Sequence, residues 1–275
     1  GCGKSVTSKS VMGLISMPPG EIKDGSEILF EGKNILEQSE KEWCDYRGAK
    51  CSMIFQDALT SLNPTMNIGK QIMENILNHN KLDKSEAKKR ALTMLRLAGI
   101  PDEEMCMKKY PHELSGGMRQ RVMIAIALSG NPKVLIADEP TTALDVTIQA
   151  QIIELMKKIQ EELGTTIILI THDLGVVADI ADRIIVMYSG KVVEEGSCRE
   201  IFFKHKHPYT WALPDLINPP VGCPFAERCK YCMKVCLEAM PPQFEFGEGH
   251  KAACWLYHPQ SGYTDIRFEE EEENE

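Results

Sequence analysis

Three blocks of this sequence constrain it most, and their order matters as much as their content. Gly1-Cys2-Gly3-Lys4-Ser5 comes first, Leu114-Ser115-Gly116-Gly117-Met118-Arg119-Gln120-Arg121 follows far downstream, and the apolar run Val134-Leu135-Ile136-Ala137 then closes on Asp138-Glu139-Pro140. Gly3-Lys4-Ser5 reads as the end of a phosphate loop of the form G-x-x-x-x-G-K-[ST]. Glycines are needed there because side chains would keep the backbone from approaching a phosphate. The backbone amides of residues 1–5 are placed to cradle the β- and γ-phosphates, Lys4 to reach them, and Ser5 to bind Mg²⁺; a helix starting at this point adds a dipole favourable to negative charge. The leading glycine of the loop, and the strand that would feed it, are expected to precede residue 1, so the chain is read as part of a longer protein.

The rest of the chain supplies the frame. Ser5 to Leu14 is expected as the helix after the loop, stopped by Pro18-Pro19-Gly20. Glu27 to Gly32 and Cys51 to Gln56 read as strands, the second short and apolar. From Ile68 to about Gly130 the pattern is helical: Ile72, Ile76 and Leu77 share a face, as do Ala91, Leu95 and Ala98, and Val122 to Leu128 is an apolar helix ended by Gly130-Asn131-Pro132. Strand and helix then alternate through Val134 to Ala137, Ile148 to Leu163, Thr166 to Ile170, Leu174 to Ile180 and Arg183 to Tyr188, with Lys191 to Glu194 as an edge strand. Such alternation predicts an α/β fold with a parallel sheet covered by helices on both faces.

Charge and hydropathy exclude some functions. The net charge is −9, of which Phe268 to Glu275 alone carries six negatives; such a run is read as a solvated tail. An acidic chain is a poor match to nucleic acid, whose phosphates require a Lys/Arg surplus. No apolar run approaches the roughly 18 residues of a membrane helix, and nothing reads as a secretory signal. The chain is expected to be soluble and cytosolic, with any membrane role exercised through a partner.

Asp138 ends its strand where a carboxylate can hold Mg²⁺ or its waters, and Glu139 sits where it can orient or deprotonate an attacking water. Strands ending in solvated acids are common in α/β proteins. This one continues into Pro140-Thr141-Thr142-Ala143-Leu144-Asp145, and Thr171-His172-Asp173 follows the next strand. With the LSGGMRQR block, this series resembles the ATP-binding subunits of ABC transporters. That resemblance implies a P-loop NTPase (RecA-like) core with a mostly parallel sheet, a helical subdomain at about 68–130, and ATP hydrolysis. It makes Gly1, Cys2, Gly3, Lys4, Ser5 and Val6 the ATP-binding loop, with Ser5, Gln56 and Asp138 around Mg²⁺. Glu139, His172 and Gln56 become the catalytic set, and Asp145 belongs to the D-loop. Ser115, Gly116, Gly117 and Gln120 would contact ATP held by a partner cassette.

Phe55-Gln56-Asp57, Ser61-Leu62-Asn63-Pro64, Gly117-Met118-Arg119-Gln120-Arg121-Val122-Met123-Ile124-Ala125, Asp145-Val146-Thr147-Ile148-Gln149-Ala150 and His207-Pro208-Tyr209-Thr210 narrow the resemblance to the oligopeptide/dipeptide importer family, in its D-type branch. What this implies is an ATPase of about residues 1–205, a C-terminal extension at 206–258 and an acidic tail at 259–275. The partners it implies are a homologous F-type ATPase in a heterodimer, or a second copy in a homodimer, with two transmembrane permease subunits and, indirectly, a solute-binding protein. No nucleic acid is expected, and the place is the cytoplasmic face of the membrane. Peptides lead among the solutes; nickel or another small solute, a non-transport ABC ATPase and an inactive remnant are the alternatives. Relative to this family the N-terminal strands and their adenine-stacking aromatic are not in the sequence, and a shortened stretch is expected near Leu213-Pro214.

Of ten cysteines, Cys2, Cys44, Cys51, Cys106 and Cys198 are scattered and read as small hydrophobes. Cys223, Cys229, Cys232, Cys236 and Cys254 are clustered, as zinc or an iron–sulfur cluster requires. Gly222-Cys223-Pro224-Phe225, Arg228-Cys229, Cys236 and Ala253-Cys254-Trp255 resemble the C-terminal motif that holds a [4Fe–4S] cluster in some peptide-importer ATPases, which makes Cys223, Cys229, Cys236 and Cys254 its ligands. Cys232 lies outside that pattern and permits a rival zinc set through the C-x-x-C of Cys229 and Cys232.

Overall fold

The structure is a computed structural model that describes residues 2–56, 61–142, 144–211, 222–223, 225–226, 229–247, 249–259 and 261–262. Gly1, Asp57, Ala143, Leu213-Pro214 and the acidic run from Phe268 lie outside the described residues. The chain divides into two compact units, one of Ser5–Val176 and one of Gly1–Lys4 with Val177–Glu275.

The larger unit opens with α1 (Lys4–Val11), followed by the short hairpin strands β1 (Leu29–Phe30) and β2 (Lys33–Asn34), α2 (Glu40–Tyr46) and β3 (Cys51–Ile54). Then come α3 (Ile68–His79), α4 (Lys84–Leu97), α5 (Glu103–Lys108), α6 (Gly116–Ser129), β4 (Val134–Asp138), α7 (Val146–Leu163), β5 (Thr166–Ile170) and α8 (Leu174–Ile180), which crosses the division. Two expectations from sequence are corrected here. The first helix stops at Val11, where Gly13 takes φ +60, before the prolines are reached. The span Glu27 to Gly32 is not one strand: Glu31 at φ +51 and Gly32 at φ +78 make the tight turn of a hairpin, the backbone that such two-residue turns require.

Strands β3, β4 and β5 form a parallel sheet in that order, with Ile54 opposite Ala137 and Asp138 opposite Ile170. The central strand β4 is buried from Leu135 through Asp138, as a strand packed on both faces must be. Met12, Trp43, Tyr46, Cys51, Met53, Ile136 and Ile170 fill one core cluster. In the helical region Ile68, Ile72 and Ile76 on α3, Ala91 and Leu95 on α4, and Ile124 and Leu128 on α6 are fully buried. Side-chain caps set the starts of these helices, among them a reciprocal Asp83–Glu86 pair on α4 and Asn67 on α3. Gly130 ends α6 at an ordinary backbone angle, but a β-carbon there would lie 1.9 Å from the Gly48 carbonyl oxygen. Gly130→Ala is therefore expected to destabilise the larger unit by about 1–3 kcal/mol. Chemical denaturation checks this, and an unchanged midpoint would mean the Gly48 turn yields freely.

The smaller unit has β6 (Arg183–Tyr188), β7 (Lys191–Ser197), α9 (Cys198–Phe203), α10 (Pro208–Trp211), α11 (Lys234–Glu238), β8 (Gln243–Glu245) and β9 (Lys251–Ala253). Its sheet is antiparallel in the order β6-β7-β9-β8. The strand expected at an edge, β7, is thus interior, because β9 pairs on its second side. Tyr188, Val193, Cys223, Phe225, Ala226 and Cys236 form this unit's core.

Candidate functional site

Three parallel strands in register bring their C-terminal ends to one edge, where α/β sheets place their sites. Gln56 follows β3, Asp138 and Glu139 close β4, and Thr171-His172 follows β5. Ser5, near the start of α1, donates from its hydroxyl to Asp138 Oδ1 at 2.9 Å. Asp138 is 3% exposed, so this bond partly satisfies a buried carboxylate. Glu139 is re-aimed by its backbone: its φ is +47, a left-handed angle uncommon for a residue with a β-carbon, and its N–H donates to the Ile170 carbonyl at 2.8 Å. Its carboxylate meets side chains from neighbouring segments. Gln56 Nε2 donates to Oε2 at 2.9 Å, Thr142 Oγ1 donates to the same oxygen at 3.0 Å, and His172 Nδ1 lies 3.2 Å from Oε1. Asp173 is held well below the usual carboxylate range by Gln149, whose amide donates to Oδ2 at 2.9 Å, and by the amides at the start of α8. That bond ties the first turns of α7 to the loop carrying His172.

The structure thus gathers Ser5, Gln56, Asp138, Glu139 and His172. Thr142, Gln149 and Asp173 were missed from the sequence, since nothing in a Thr-Thr pair or a helical Gln marks which one turns back on the site. At the loop, Gly3 takes φ +89 and leads into Lys4, Ser5 and the exposed Val6 of α1; Cys2 accepts through its carbonyl from the Gly190 N–H at 3.1 Å. Ser115 caps α6, accepting from the Met118 N–H at 3.3 Å. Ser115 and Gly116 are exposed and Gly117 half-buried, packed near Ile148. Gln120, by contrast, is buried in the helix packing, and among the described residues its Nε2 has no partner. Asp145 caps α7, accepting from the Ile148 N–H at 3.0 Å.

In the smaller unit Cys223, Cys236 and Cys254 are buried and Cys229 half-buried, whereas Cys232 is exposed. Burial pushes the Cys254 thiol up to about 12 and the Cys223 thiol up to about 11, and neighbouring thiols add to both. These soft donors have the chemistry of a metal set, yet among the described residues no group of three or more His, Cys, Asp or Glu side chains is arranged to hold a metal ion. A second polar centre sits on β7. Glu194, 1% exposed, accepts from the N–H of Lys206 at 2.6 Å, the N–H of His207 at 3.0 Å and the Thr210 hydroxyl at 2.5 Å. His250 Nε2 lies 2.9 Å from Oε1, the oxygen that also accepts from Lys206. Burial holds the His207 imidazole neutral, its pKa down at about 4.

A phosphate loop opening a helix, acids at the end of a central parallel strand and a capped signature helix define an ATP-binding cassette ATPase. The family model for the ABC transporter cassette matches residues 1–142, and that for the oligopeptide/dipeptide transporter C-terminal region matches 193–217 and 212–236. An AAA-domain model also matches residues 110–178. The oligopeptide transport ATP-binding protein OppD of Bacillus subtilis is 54% identical over 95% of this chain and 79% of its own length. The dipeptide transport ATP-binding protein DppD of Lactococcus lactis is 50% identical over 95% of this chain and 80% of its own. Among solved structures, the dimeric cassette MJ0796 in a post-hydrolysis state with ADP and Pi superposes with a TM-score of 0.62 at 30% identity, covering 72% of this chain and 82% of that one. For cbiO1 from Clostridium perfringens, part of the cbiONQ transporter complex, the TM-score is 0.63 at 33% identity, covering 73% of this chain and 75% of that chain. The chain belongs to the family of oligopeptide and dipeptide transport ATP-binding proteins. No helix of the described residues is long and apolar enough to cross a membrane.

Proposed function

We propose that this chain is the ATP-hydrolysing subunit of an ABC-type importer of oligopeptides or dipeptides. The observation that carries the reading is the Glu139 carboxylate, held by Gln56, Thr142 and His172 beside the Ser5–Asp138 pair. Lys4 and the amides of residues 1–6 bind the β- and γ-phosphates of ATP. Ser5 and Asp138, with Gln56 nearby, are hard oxygen donors suited to Mg²⁺, which when bound neutralises charge on the phosphate oxygens. Glu139 takes a proton from the attacking water as its oxygen bonds to the γ-phosphorus and the β,γ-bridging bond breaks. His172 faces the same carboxylate and holds the γ-phosphate side of the site. Two cassettes clamp two ATP molecules, each loop facing the partner's Ser115-Gly116-Gly117 across the interface.

The cassette is assigned to residues 1–205, with its helical subdomain at 68–130 meeting the permeases, the extension to 206–258 and the tail to 259–275. The second cassette is an F-type homologue or a second copy of this chain, and the complex works at the cytoplasmic face of the membrane. The test is ATP hydrolysis by the complete complex in proteoliposomes with its binding protein. Stimulation by peptide-loaded binding protein is the expected result; stimulation by nickel or another small solute alone would replace the substrate assignment.

For the C-terminal extension the reading is a [4Fe–4S] cluster on Cys223, Cys229, Cys236 and Cys254, supported by Cys223, Cys229 and Cys236 meeting in one apolar core and by the upward shifts that burial and neighbouring thiols give Cys223, Cys229 and Cys254. Anaerobically purified protein is expected to contain iron and acid-labile sulfide, both lost on Cys236→Ser. Zinc without sulfide would favour the rival set that includes Cys232, and protein free of both elements would overturn the proposal.

A further inference from the structure

His172 carries an exposed ring just beyond β5, and an exposed ring is placed by its backbone more than by packing around it. The strand fixes where that backbone starts, since Ile170 pairs with Asp138. Beyond Ile170 the segment closes on itself. The Asp173 N–H donates to the Thr171 hydroxyl at 3.0 Å, and Asp173 Oδ1 accepts from the N–H groups of Gly175 at 2.9 Å and Val176 at 3.2 Å. These bonds shape the turn, but they lie within residues 171–176 and move with it. Asp173 Oδ2 reaches elsewhere: it accepts at 2.9 Å from Nε2 of Gln149, 24 positions away on α7.

That helix is a firm anchor. Ile152, Ile153 and Met156, in the turns that follow Gln149, are buried in the core, and Asp145 caps the helix one turn before it. An amide is also the group that this place calls for. It is a neutral donor set against an ionised partner, because the Gln149 bond first, and the α8 amides after it, hold Asp173 below the usual carboxylate range. A glutamate at 149 would set like charges against each other, and a leucine would withdraw the donor. We propose that Gln149 is a positioning residue for ATP hydrolysis: its bond to Asp173 ties the turn carrying His172 to α7 and so fixes where the imidazole stands on the γ-phosphate side of the site. This rests on the role given to His172 above. Gln149 acts through Asp173 and His172.

The test uses the complete transporter complex. Gln149→Leu is expected to lower kcat by about tenfold, the worth of a hydrogen bond to a charged group, with KM for ATP and the thermal midpoint little changed. Gln149→Glu should lose at least as much. Combining Gln149→Glu with Asp173→Asn exchanges donor and acceptor: the asparagine oxygen still caps α8, its amide donates to the new carboxylate, and most of the lost kcat should return. In a His172→Ala background, followed by single-turnover phosphate release, Gln149→Leu should cause no further loss, because the ring being positioned is gone. Wild-type kcat in Gln149→Leu, or a double variant as slow as Gln149→Glu alone, would overturn the positioning role. So would a full further loss in the His172→Ala background, or a thermal midpoint that falls in step with kcat. If His172→Ala itself turned over at the wild-type rate, the role of His172 would fall first, which separates the two failures.

Discussion

Glu139→Gln is expected to lower steady-state ATP hydrolysis by about a hundredfold or more while leaving MgATP binding in place. The substitution keeps the shape of the side chain. Its amide oxygen can take the position of Oε2, accepting as now from Gln56 Nε2 and Thr142 Oγ1, and its amide nitrogen then faces His172 Nδ1. No hydrogen bond of the turn need break, and the neighbouring Ser5–Asp138 pair is untouched. What disappears is the capacity to take a proton from water, since an amide has no accessible basic form. A variant that binds nucleotide and does not turn it over should also hold two cassettes together for longer, because the ATP between them persists. Phosphate release, nucleotide binding and the dimer fraction on size-exclusion chromatography read these three effects separately. Hydrolysis near the wild-type rate would remove Glu139 from the proton transfer and leave water positioning to Gln56 and His172.

How far such a site can be read from sequence depends on whether its residues are joined by local spacing or by the fold. The apolar run of β4 ending in Asp138-Glu139 is legible because a parallel strand buried on both faces is continuous in its hydrophobicity. Gln56 and His172 are legible by their order after the flanking strands, and the sheet register brings them to the same carboxylate. The helical character from Ile68 to about Gly130 is legible from spacing, since Ile72 and Ile76 repeat at a helical interval, but its division into four helices is not. Other features were out of reach. The hairpin at Glu31-Gly32 depends on two left-handed residues, one of them a glutamate that gives no turn signal. The interior place of β7 depends on β9, which lies far along the chain, and a long-range antiparallel pairing leaves no local mark. Thr142 and Gln149 act by pointing back at Glu139 and Asp173, and that direction is set by the fold around each of them rather than by residue type.

The largest structural effect is expected at Glu194. Nothing in Val192-Val193-Glu194-Glu195 marks it out, yet it is buried, with the Lys206 N–H and the His250 ring at Oε1 and the His207 N–H and the Thr210 hydroxyl at Oε2. Backbone amides from the start of the HPYT segment and a side chain from beside β9 thus converge on one strand. Glu194→Ala removes the acceptor and leaves its donors without partners in a dry site, at a cost of about 3–5 kcal/mol to the smaller unit. Hydrogen exchange should speed up across β7, β9 and the segment from Lys206 to Thr210, and stay unchanged in β3 and β4. Glu194→Gln distinguishes the causes. Its one oxygen can satisfy the donors on one side, while its amide hydrogens face those on the other. The Thr210 hydroxyl can rotate to accept from them and the His250 ring can change tautomer, but the N–H of Lys206 or His207 on that side cannot reverse. Glutamine should therefore lose about 1–3 kcal/mol, a smaller loss than alanine. Equal losses in the two variants would show that the negative charge, rather than the count of acceptors, holds this corner together.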